Sequence, residues 1–235
     1  EINRLLTDAL ADILWTPSQD ADENLMREGI PPKKIHRVGN IMIDSLEMLR
    51  ERIKDQAAYN DFGLEPGDYG VITLHRPSNV DDQKILKQIC HTFMRMSQKI
   101  PLIFPIHPRT RKNLEQDGLL SSLKESPGLH PVEPLNYIRF MNLVFNCRLA
   151  ITDSGGIQEE TTYLGIPCLT MRPNTERPVT IRQGTNQLCN PENLEAKVEG
   201  ILSGEITQGA IPELWDGNTA SRVVKSIKKL TAPSS

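Results

Sequence analysis

The chain has 235 residues, 38% of them hydrophobic and 24% charged, so it can bury an apolar core and is not of the disordered class. Its formal net charge of −3 gives no electrostatic basis for binding nucleic acid or an anionic membrane. No apolar run approaches the roughly 20 residues of a transmembrane helix, and the N-terminal residues lack a signal-peptide pattern.

Short apolar runs alternate with amphipathic segments, which predicts strands alternating with helices. In chain order the predicted elements are helix 5–12, strand 13–15, helix 19–28, strand 36–38, helix 41–54, strand 69–74, helix 83–98, strand 102–106, helix 135–143, strand 149–152, helix 157–164, strand 168–171, helix 193–202 and helix 219–230. Such βα units form a parallel sheet with helices on both faces. We therefore predict an α/β fold.

The four cysteines, Cys90, Cys147, Cys168 and Cys189, are far apart in sequence and form no CxxC pair. Each lies in or beside an apolar segment, so we expect buried free thiols and no zinc or other metal site. Free thiols are typical of a reducing compartment, which predicts a cytoplasmic protein.

The polar loops at the strand ends are the places to look for a ligand site, since ligands of open α/β sheets bind beyond the carboxyl ends of the strands. These loops cover residues 39–40, 75–79, 107–111, 153–156 and 172–177. The chain has no Walker-type phosphate loop, no GxGxxG and no GxSxG. ATP-binding, NAD-binding and α/β-hydrolase functions are therefore disfavoured.

The string TDSGGIQEE lies between a predicted strand and a predicted helix. Gly155 and Gly156 allow a phosphate to approach the backbone closely, and a helix start presents free N–H groups. Ser154 adds a hydroxyl donor, and a carboxylate in the first turn, Glu159 or Glu160, can bind a ribose diol. A capped helix with a tight glycine turn explains an isolated Ser-Gly-Gly equally well, but the whole string favours phosphate binding.

Two further loops carry histidine and arginine at strand ends. His75 can act as a general acid or base or contact a phosphate, and Arg76 can offer a phosphate two parallel hydrogen bonds. A loop histidine held by backbone hydrogen bonds is the alternative. His107 lies in the second loop with Arg109 and Arg111, where a solvated helix start explains the arginines as well as ligand contact does.

The loop that follows the strand at residues 168–171 contains Glu176 and Arg177. It leaves the same edge of the sheet as the glycine pair, so both side chains are expected to face the same cleft. An arginine there can neutralise a diphosphate and a glutamate can accept sugar hydroxyls. A surface ion pair between the two is the alternative.

Taken together, these strings resemble the non-hydrolysing UDP-N-acetylglucosamine 2-epimerases. The matching segments are residues 1–4, 38–40, 74–76, 105–108, 152–160, 165–167, 172, 175–178, 184–185 and 216–217. They occur in the family's order and span nearly the whole chain, and TDSGGIQEE combined with TERP is diagnostic.

The resemblance implies a GT-B-like enzyme of two Rossmann-type domains that interconverts UDP-GlcNAc and UDP-ManNAc without NAD, metal or other cofactor. In the family the C2 proton is removed, UDP leaves, and UDP adds back after reprotonation on the other face. UDP-GlcNAc and UDP are the expected ligands, and a homodimer is the expected assembly of the full-length protein.

The resemblance also implies roles for particular residues. His75 matches the active-site histidine and Arg4 a cleft arginine, while Phe140 matches an aromatic residue near the uracil. The residues expected to hold UDP or its sugar are Ser154, Gly155, Gly156, Glu160, Glu176 and Arg177. Arg76 and His107 match positions that contact a second, regulatory UDP-GlcNAc in some members.

Family members carry an N-terminal Rossmann domain ahead of the point where this chain begins, and that domain supplies the acids of proton transfer. Residues 1–37 are therefore predicted to be a remnant of it, 38–218 the UDP-binding domain, and 219–235 a crossover helix and tail. We expect this chain alone to bind UDP weakly and to epimerise poorly or not at all. A GT-B glycosyltransferase, a hydrolysing epimerase and a non-catalytic UDP-sugar-binding module are the alternatives.

Overall fold

The computed structural model describes residues 2–205 and 209–231, and these residues divide into two compact units. One unit contains the described parts of residues 1–48 and 211–235, and the second contains those of residues 49–210. The domain limits expected at residues 37/38 and 218/219 stay a prediction, and residues 232–235 of the expected tail lie outside the described ranges.

The strands of the described residues are each followed along the chain by one or two helices. The helices and strands are α1 (Ile2–Leu10), β1 (Leu14–Thr16), α2 (Gln19–Arg27), β2 (Ile35–Arg37), α3 (Ile41–Lys54), β3 (Gly70–Thr73), α4 (Pro77–Val80), α5 (Gln83–Met96), β4 (Leu102–Pro105), α6 (Pro108–Gln116), α7 (Leu119–Glu125), β5 (Leu129–Val132), α8 (Tyr137–Asn146), β6 (Leu149–Thr152), α9 (Gly155–Leu164), β7 (Cys168–Met171), α10 (Pro178–Arg182), β8 (Asn186–Cys189), α11 (Leu194–Ser203) and α12 (Thr219–Thr231). Every predicted element is confirmed within three residues at either end.

The larger unit is built on a six-stranded parallel sheet with the order β5-β4-β3-β6-β7-β8. Numbered from β3, this is the order 3-2-1-4-5-6 of the dinucleotide-binding Rossmann fold. The α/β prediction is therefore confirmed. The order reverses between β3 and β6, so the chain leaves these neighbouring strands in opposite directions and opens a crevice at their carboxyl ends.

The two edge strands were not predicted, and their composition explains why. β5 contains Pro131, which has no N–H to give to a neighbour and is tolerated because β5 pairs on one side only. β8 begins with Asn186 and Gln187, which a hydrophobic pattern does not mark as a strand. The central strands β6 and β7 are buried along their whole length, as a sheet covered on both faces requires.

The core of the larger unit is formed by apolar side chains of β3, β4, β6 and β7 with those of α5, α7 and α11. All four cysteines are buried free thiols, which confirms that expectation. Among the described residues, no helix is both long and apolar enough to cross a membrane.

The smaller unit contains a two-stranded parallel sheet in which Leu14 pairs with Ile35 and Thr16 with Arg37. The Arg37 guanidinium lies 2.7 Å from a carboxylate oxygen of Asp22. The two helices at the ends of the chain carry exposed apolar side chains. The exposed apolar side chains are those of Ile2, Leu5, Leu6 and Leu10 of α1 and of Val224, Ile227 and Leu230 of α12.

Candidate functional site

The residues singled out in the loops of the larger unit converge on the crevice between β3 and β6. Thr73 and Thr152 are in register, and their hydroxyl oxygens lie 2.6 Å apart. The segment that leaves β3 toward His75 and the segment that leaves β6 toward Gly155 therefore start side by side. This brings residues 75–79, the histidine loop, and residues 153–156, the glycine loop, together at the point where the strand order reverses.

Asp153 is fully buried and organises the histidine loop. Its carboxylate accepts hydrogen bonds from the backbone N–H groups of His75 at 3.0 Å and Arg76 at 2.8 Å, and from Nδ2 of Asn79 at 3.1 Å. Nδ1 of His75 lies 2.9 Å from Oδ1 of the same carboxylate. The imidazole is thus held through Nδ1, which leaves Nε2 as the ring nitrogen available to a ligand.

This pairing has electrostatic consequences for both groups. The hydrogen bond to Asp153 raises the pKa of His75, against the opposing effects of partial burial and of Arg76. Burial alone would raise the pKa of Asp153, but the hydrogen bonds from His75 and from the backbone of Arg76 outweigh it and the pKa is lowered. The carboxylate is therefore ionised, and the imidazole holds a proton more readily than a free histidine does.

Arg76 and His107 flank this pair. Nε of Arg76 donates to the backbone oxygen of Asp153 at 2.9 Å, and the rings of His75 and His107 have centroids 5.6 Å apart. Nδ1 of His107 accepts the backbone N–H of Arg109, so this exposed histidine caps α6. The structure therefore brings together the histidine and both residues predicted to be regulatory, whose regulatory role stays a prediction.

Arg109 and Arg111 agree with the alternative that they lie at a solvated helix start and pair with nearby carboxylates. Arg109 forms an ion pair with Asp81, with the closest approach at 2.5 Å, and Arg111 pairs with Glu133 at 2.6 Å. Both lie in α6, whose first residue is Pro108. These contacts explain the two arginines without a ligand.

Ser154 is the N-cap of α9, and Gly155 and Gly156 form its first two residues. Neither glycine has a positive φ, and an added Cβ would meet no atom nearer than 4.0 Å at either position. Glycine destabilises a helix by roughly 0.5–1 kcal/mol relative to alanine. Neither backbone conformation nor internal packing requires glycine here, so the open space above the helix start is best explained by a group that approaches from outside the chain.

Arg177 lies over this helix start. Its Nε is 2.8 Å from Oε1 of Glu159, and its Nη2 would lie 4.0 Å from a Cβ added at Gly155. The buried Glu159 thus anchors a guanidinium beside the N–H groups at the positive end of α9. The arrangement places two sources of positive potential at one point.

Glu176 does not pair with Arg177, contrary to the surface-pair alternative. Both of its carboxylate oxygens accept hydrogen bonds from the buried guanidinium of Arg172, each at 2.7 Å. The hydrogen bonds from Arg172 lower the pKa of Glu176 to about 2, against the opposing effect of partial burial. Thr175 then ties the same loop to α9 through a 2.6 Å bond to Oε1 of Gln158.

Glu160 is 2% exposed and lies one helical turn after Gly156 on the same face of α9. The hydroxyl of Tyr137 donates to its Oε1 at 2.7 Å. Burial raises the pKa of Glu160 to about 7, the Tyr137 hydrogen bond opposes this shift, and the charge of Glu159 adds to it. Phe140 is half-buried one turn after Tyr137 on α8, so the structure brings the predicted aromatic residue to the same helix face as the tyrosine.

Arg4 lies in the smaller unit, where its guanidinium pairs with Asp8 at 2.7 Å and with Glu28 at 2.6 Å. Its role at a cleft stays a prediction. Among the described residues, no group of three or more His, Cys, Asp or Glu side chains is placed to hold a metal ion.

Three residues that build this site had no predicted role: Asp153, Asn79 and Tyr137. The signal for Asp153 was its position directly after a buried strand beside the glycine pair, where a carboxylate meets the neighbouring loop. Tyr137 and Asn79 carry no comparable local signal, because their partners Glu160 and Asp153 lie 23 and 74 residues away.

Comparison with known proteins gives consistent matches. A family model described as UDP-N-acetylglucosamine 2-epimerase matches residues 1–228. The UDP-N-acetylglucosamine 2-epimerase of Methanocaldococcus jannaschii is 40% identical over 211 residues, which cover 86% of this chain and 57% of the relative. The UDP-2,3-diacetamido-2,3-dideoxy-D-glucuronate 2-epimerase of Pseudomonas aeruginosa is 36% identical over 236 residues, which cover 98% of this chain and 63% of the relative.

Among solved structures, the UDP-GlcNAc 2-epimerase of Methanocaldococcus jannaschii in complex with UDP-GlcNAc and UDP matches with a TM-score of 0.85 and 37% identity. The match covers 97% of this chain and 64% of that chain. The present chain thus spans between 57% and 64% of the length of these relatives.

Proposed function

This chain belongs to the UDP-N-acetylglucosamine 2-epimerase family, and from that premise we propose that it supplies the UDP-binding half of a non-hydrolysing 2-epimerase. The complete protein interconverts UDP-GlcNAc and UDP-ManNAc. The observation that carries this proposal is the open glycine pair at the start of α9, with Arg177 beside it and the His75–Asp153 pair across the crevice.

The diphosphate binds at the start of α9. The first N–H groups of an α-helix have no partner within the helix, and the helix dipole makes this end positive. Gly155 and Gly156 leave room for phosphate oxygens at these N–H groups, Ser154 adds a hydroxyl, and Arg177 supplies a full positive charge. Charge-assisted hydrogen bonds of this kind are about twice as strong as neutral ones.

The nucleoside extends along α9 from the diphosphate. Glu160 follows Gly156 by four positions, which is a rise of about 6 Å on one face of the helix. That distance suits the span between a diphosphate and the hydroxyls of the attached ribose. Glu160 therefore receives the ribose diol, and Phe140 on α8 is placed to pack near the uracil.

The chemical step makes a specific demand on the UDP-binding half. When the C2 proton passes to a base, the C–H electron pair forms a C1–C2 double bond, and the C1–O bond breaks with its electrons on the β-phosphate oxygen. UDP must then stay bound until it adds back to C1. His75, with its proton affinity raised by Asp153, stabilises the leaving diphosphate through Nε2.

Glu176 has a different role in this scheme from the one expected. Since both of its oxygens are engaged by Arg172, it fixes the shape of the loop that carries Arg177 rather than offering a free carboxylate to the sugar. The acids that move the C2 proton are assigned to a part of the complete protein beyond this UDP-binding half.

The first test is incubation of the chain with UDP-GlcNAc in D2O while the sugar C2 proton is followed by NMR. We expect the C2 proton signal to persist while saturation-transfer signals show that the UDP moiety contacts the protein. Chains with Gly156→Ala serve as the control, because this change should weaken those contacts. Contacts of undiminished strength in the control would overturn the assignment of the diphosphate site.

Other outcomes separate the alternatives. Loss of the C2 proton with appearance of the manno epimer would place the proton-transferring groups within this chain. Net release of UDP and free sugar would identify a hydrolysing epimerase, and product that forms only with an acceptor would identify a glycosyltransferase. Absence of any UDP contact would overturn the proposed function.

A second candidate for the sugar of the substrate is a diacetamido-glucuronate, because one relative of 36% identity is named as a 2-epimerase of its UDP derivative. The same NMR experiment on the complete protein with both nucleotide sugars distinguishes the two. We expect C2 exchange with UDP-GlcNAc, and faster exchange with the diacetamido-glucuronate would reassign the substrate.

A further inference from the structure

We infer that Tyr137 is a positioning residue for the nucleoside: its hydroxyl holds the Glu160 carboxylate in the orientation that receives the ribose hydroxyls. The inference rests on the proposed function, since it concerns how the same UDP site selects a ribonucleotide. Tyr137 lies on α8 and precedes the predicted aromatic residue Phe140 by one helical turn.

The geometry supports a positioning role. The Tyr137 hydroxyl lies 2.7 Å from Oε1 of Glu160 and comes from α8, whereas the carboxylate stands on α9. The terminal torsion of a glutamate is broad when nothing holds it. A donor fixed to one oxygen sets the plane of the carboxylate, and it leaves Oε2 and the second lone pair of Oε1 to accept from a diol.

The electrostatics point the same way. Burial favours the neutral form of Glu160, and the charge of Glu159 on the same helix adds to this effect. Tyr137 acts against it by donating a hydrogen bond to the carboxylate. An ionised carboxylate accepts from both hydroxyls of a diol, whereas a protonated one has less acceptor capacity. Tyr137 therefore keeps Glu160 competent near neutral pH.

The location of Tyr137 makes the test clean. Its side chain is partly exposed at 39%, so Tyr137→Phe removes the hydroxyl without opening a cavity in the core. Tyr69→Phe is a matched control in the same unit. The Tyr69 hydroxyl donates at 2.8 Å to the backbone oxygen of Leu143, so its loss alters structure at the other end of α8 without touching Glu160.

The experiment measures the dissociation constants of UDP and of 2′,3′-dideoxy-UDP by NMR titration between about pH 5.5 and 8.5, a range that brackets the pKa of Glu160 at about 7. At pH 7.5 we expect Tyr137→Phe to weaken UDP binding about fivefold or more and to change dideoxy-UDP binding less than about twofold. In Tyr137→Phe, the pH at which UDP affinity has fallen to half on acidification, here called the midpoint, should move upward. Tyr69→Phe should leave both the selectivity and the midpoint unchanged.

A double-mutant comparison adds a second readout. Glu160→Gln removes the titration, so Tyr137→Phe in that background should cause little further loss of selectivity. Equal weakening of both nucleotides by Tyr137→Phe, or an unmoved midpoint, would overturn the inference and leave the UDP site in place. Failure of the unaltered chain to bind UDP would instead overturn the proposed function and, with it, this inference.

Discussion

Replacing Gly156 by alanine should stabilise the chain without ligand and weaken its binding of UDP, and these opposite signs make it the sharpest test of the phosphate site. An alanine Cβ at this position meets only Ser154 Oγ, at 4.0 Å, so the substitution fits the unliganded structure. Side chains in a helix tilt toward its N-terminus, so the new methyl group would point into the space that a phosphate must enter.

The two effects can be estimated separately. Alanine is favoured over glycine within a helix by roughly 0.5–1 kcal/mol, which corresponds to a rise in Tm of about 1–4 °C for a chain of this size. Displacing a phosphate oxygen from the backbone N–H removes at least one charge-assisted hydrogen bond, typically about 1.5–3 kcal/mol. The dissociation constant for UDP should therefore increase by about 10- to 100-fold.

Thermal unfolding without ligand and NMR titration with UDP measure the two quantities on the same sample. Gly200→Ala is the matched control: Gly200 lies within α11, has no positive φ, and its added Cβ meets only the end of the Glu205 side chain at 3.4 Å. This control should raise Tm similarly and leave UDP affinity unchanged.

Two results would refute the reasoning. Unaltered UDP affinity in Gly156→Ala would mean that the phosphate does not approach this part of the backbone. A clear loss of stability in the unliganded variant would mean that the glycine serves the fold itself, so that the open space would no longer indicate a ligand.

Three further predictions concern the structure around the site. Asp153→Asn leaves one acceptor oxygen for four donors. The free energy of unfolding, measured in urea, should therefore fall by about 3 kcal/mol, and the pKa of His75, measured by NMR, should also fall. An unchanged His75 titration would contradict the pairing with Asp153. Because the pKa of Glu176 is lowered from 4.5 to about 2, its contribution to stability is present above pH 4.5 and is lost as the pH falls through 2. The stability difference between wild type and Glu176→Gln should follow that course, and a difference that persists at the acid end would be contrary evidence. Gly184→Ala would place a Cβ 2.5 Å from a threonine side chain and 2.6 Å from a backbone oxygen. The free energy of unfolding should therefore fall by about 1–3 kcal/mol, while the folded fraction keeps its UDP affinity. Undiminished stability of the variant would show that the loop rearranges to make room for the methyl group.

The sequence by itself determined most of the helices and strands, but not the edge strands β5 and β8 or the helices α4, α6, α7 and α10. Hydrophobic periodicity is local, so the limits of α3, β6 and β7 were predicted to the residue. The glycine loop proposed to bind phosphate was equally accessible, because its glycines and the helix start are consecutive in the chain. The combination of such strings was enough to indicate the family.

The tertiary structure alone decided how distant groups meet. His75 and Asp153 are 78 residues apart and come together only because β3 and β6 are neighbours in a particular register. Tyr137 reaches Glu160 from a different helix in the same way. Local pattern carries no information on such pairings, because strand order and register are fixed by burial across the whole sheet.

The partner of Glu176 illustrates the same limit at short range. Its neighbour Arg177 was the obvious choice in the sequence, but Arg172 is buried at the end of β7 and takes both carboxylate oxygens, while the buried Glu159 takes Arg177. A buried charge must find an opposite charge or lose stability, and only the folded chain shows which charges are buried. Sequence thus determined most of the elements and the side chains that each loop offers, and the fold determined which side chains come together.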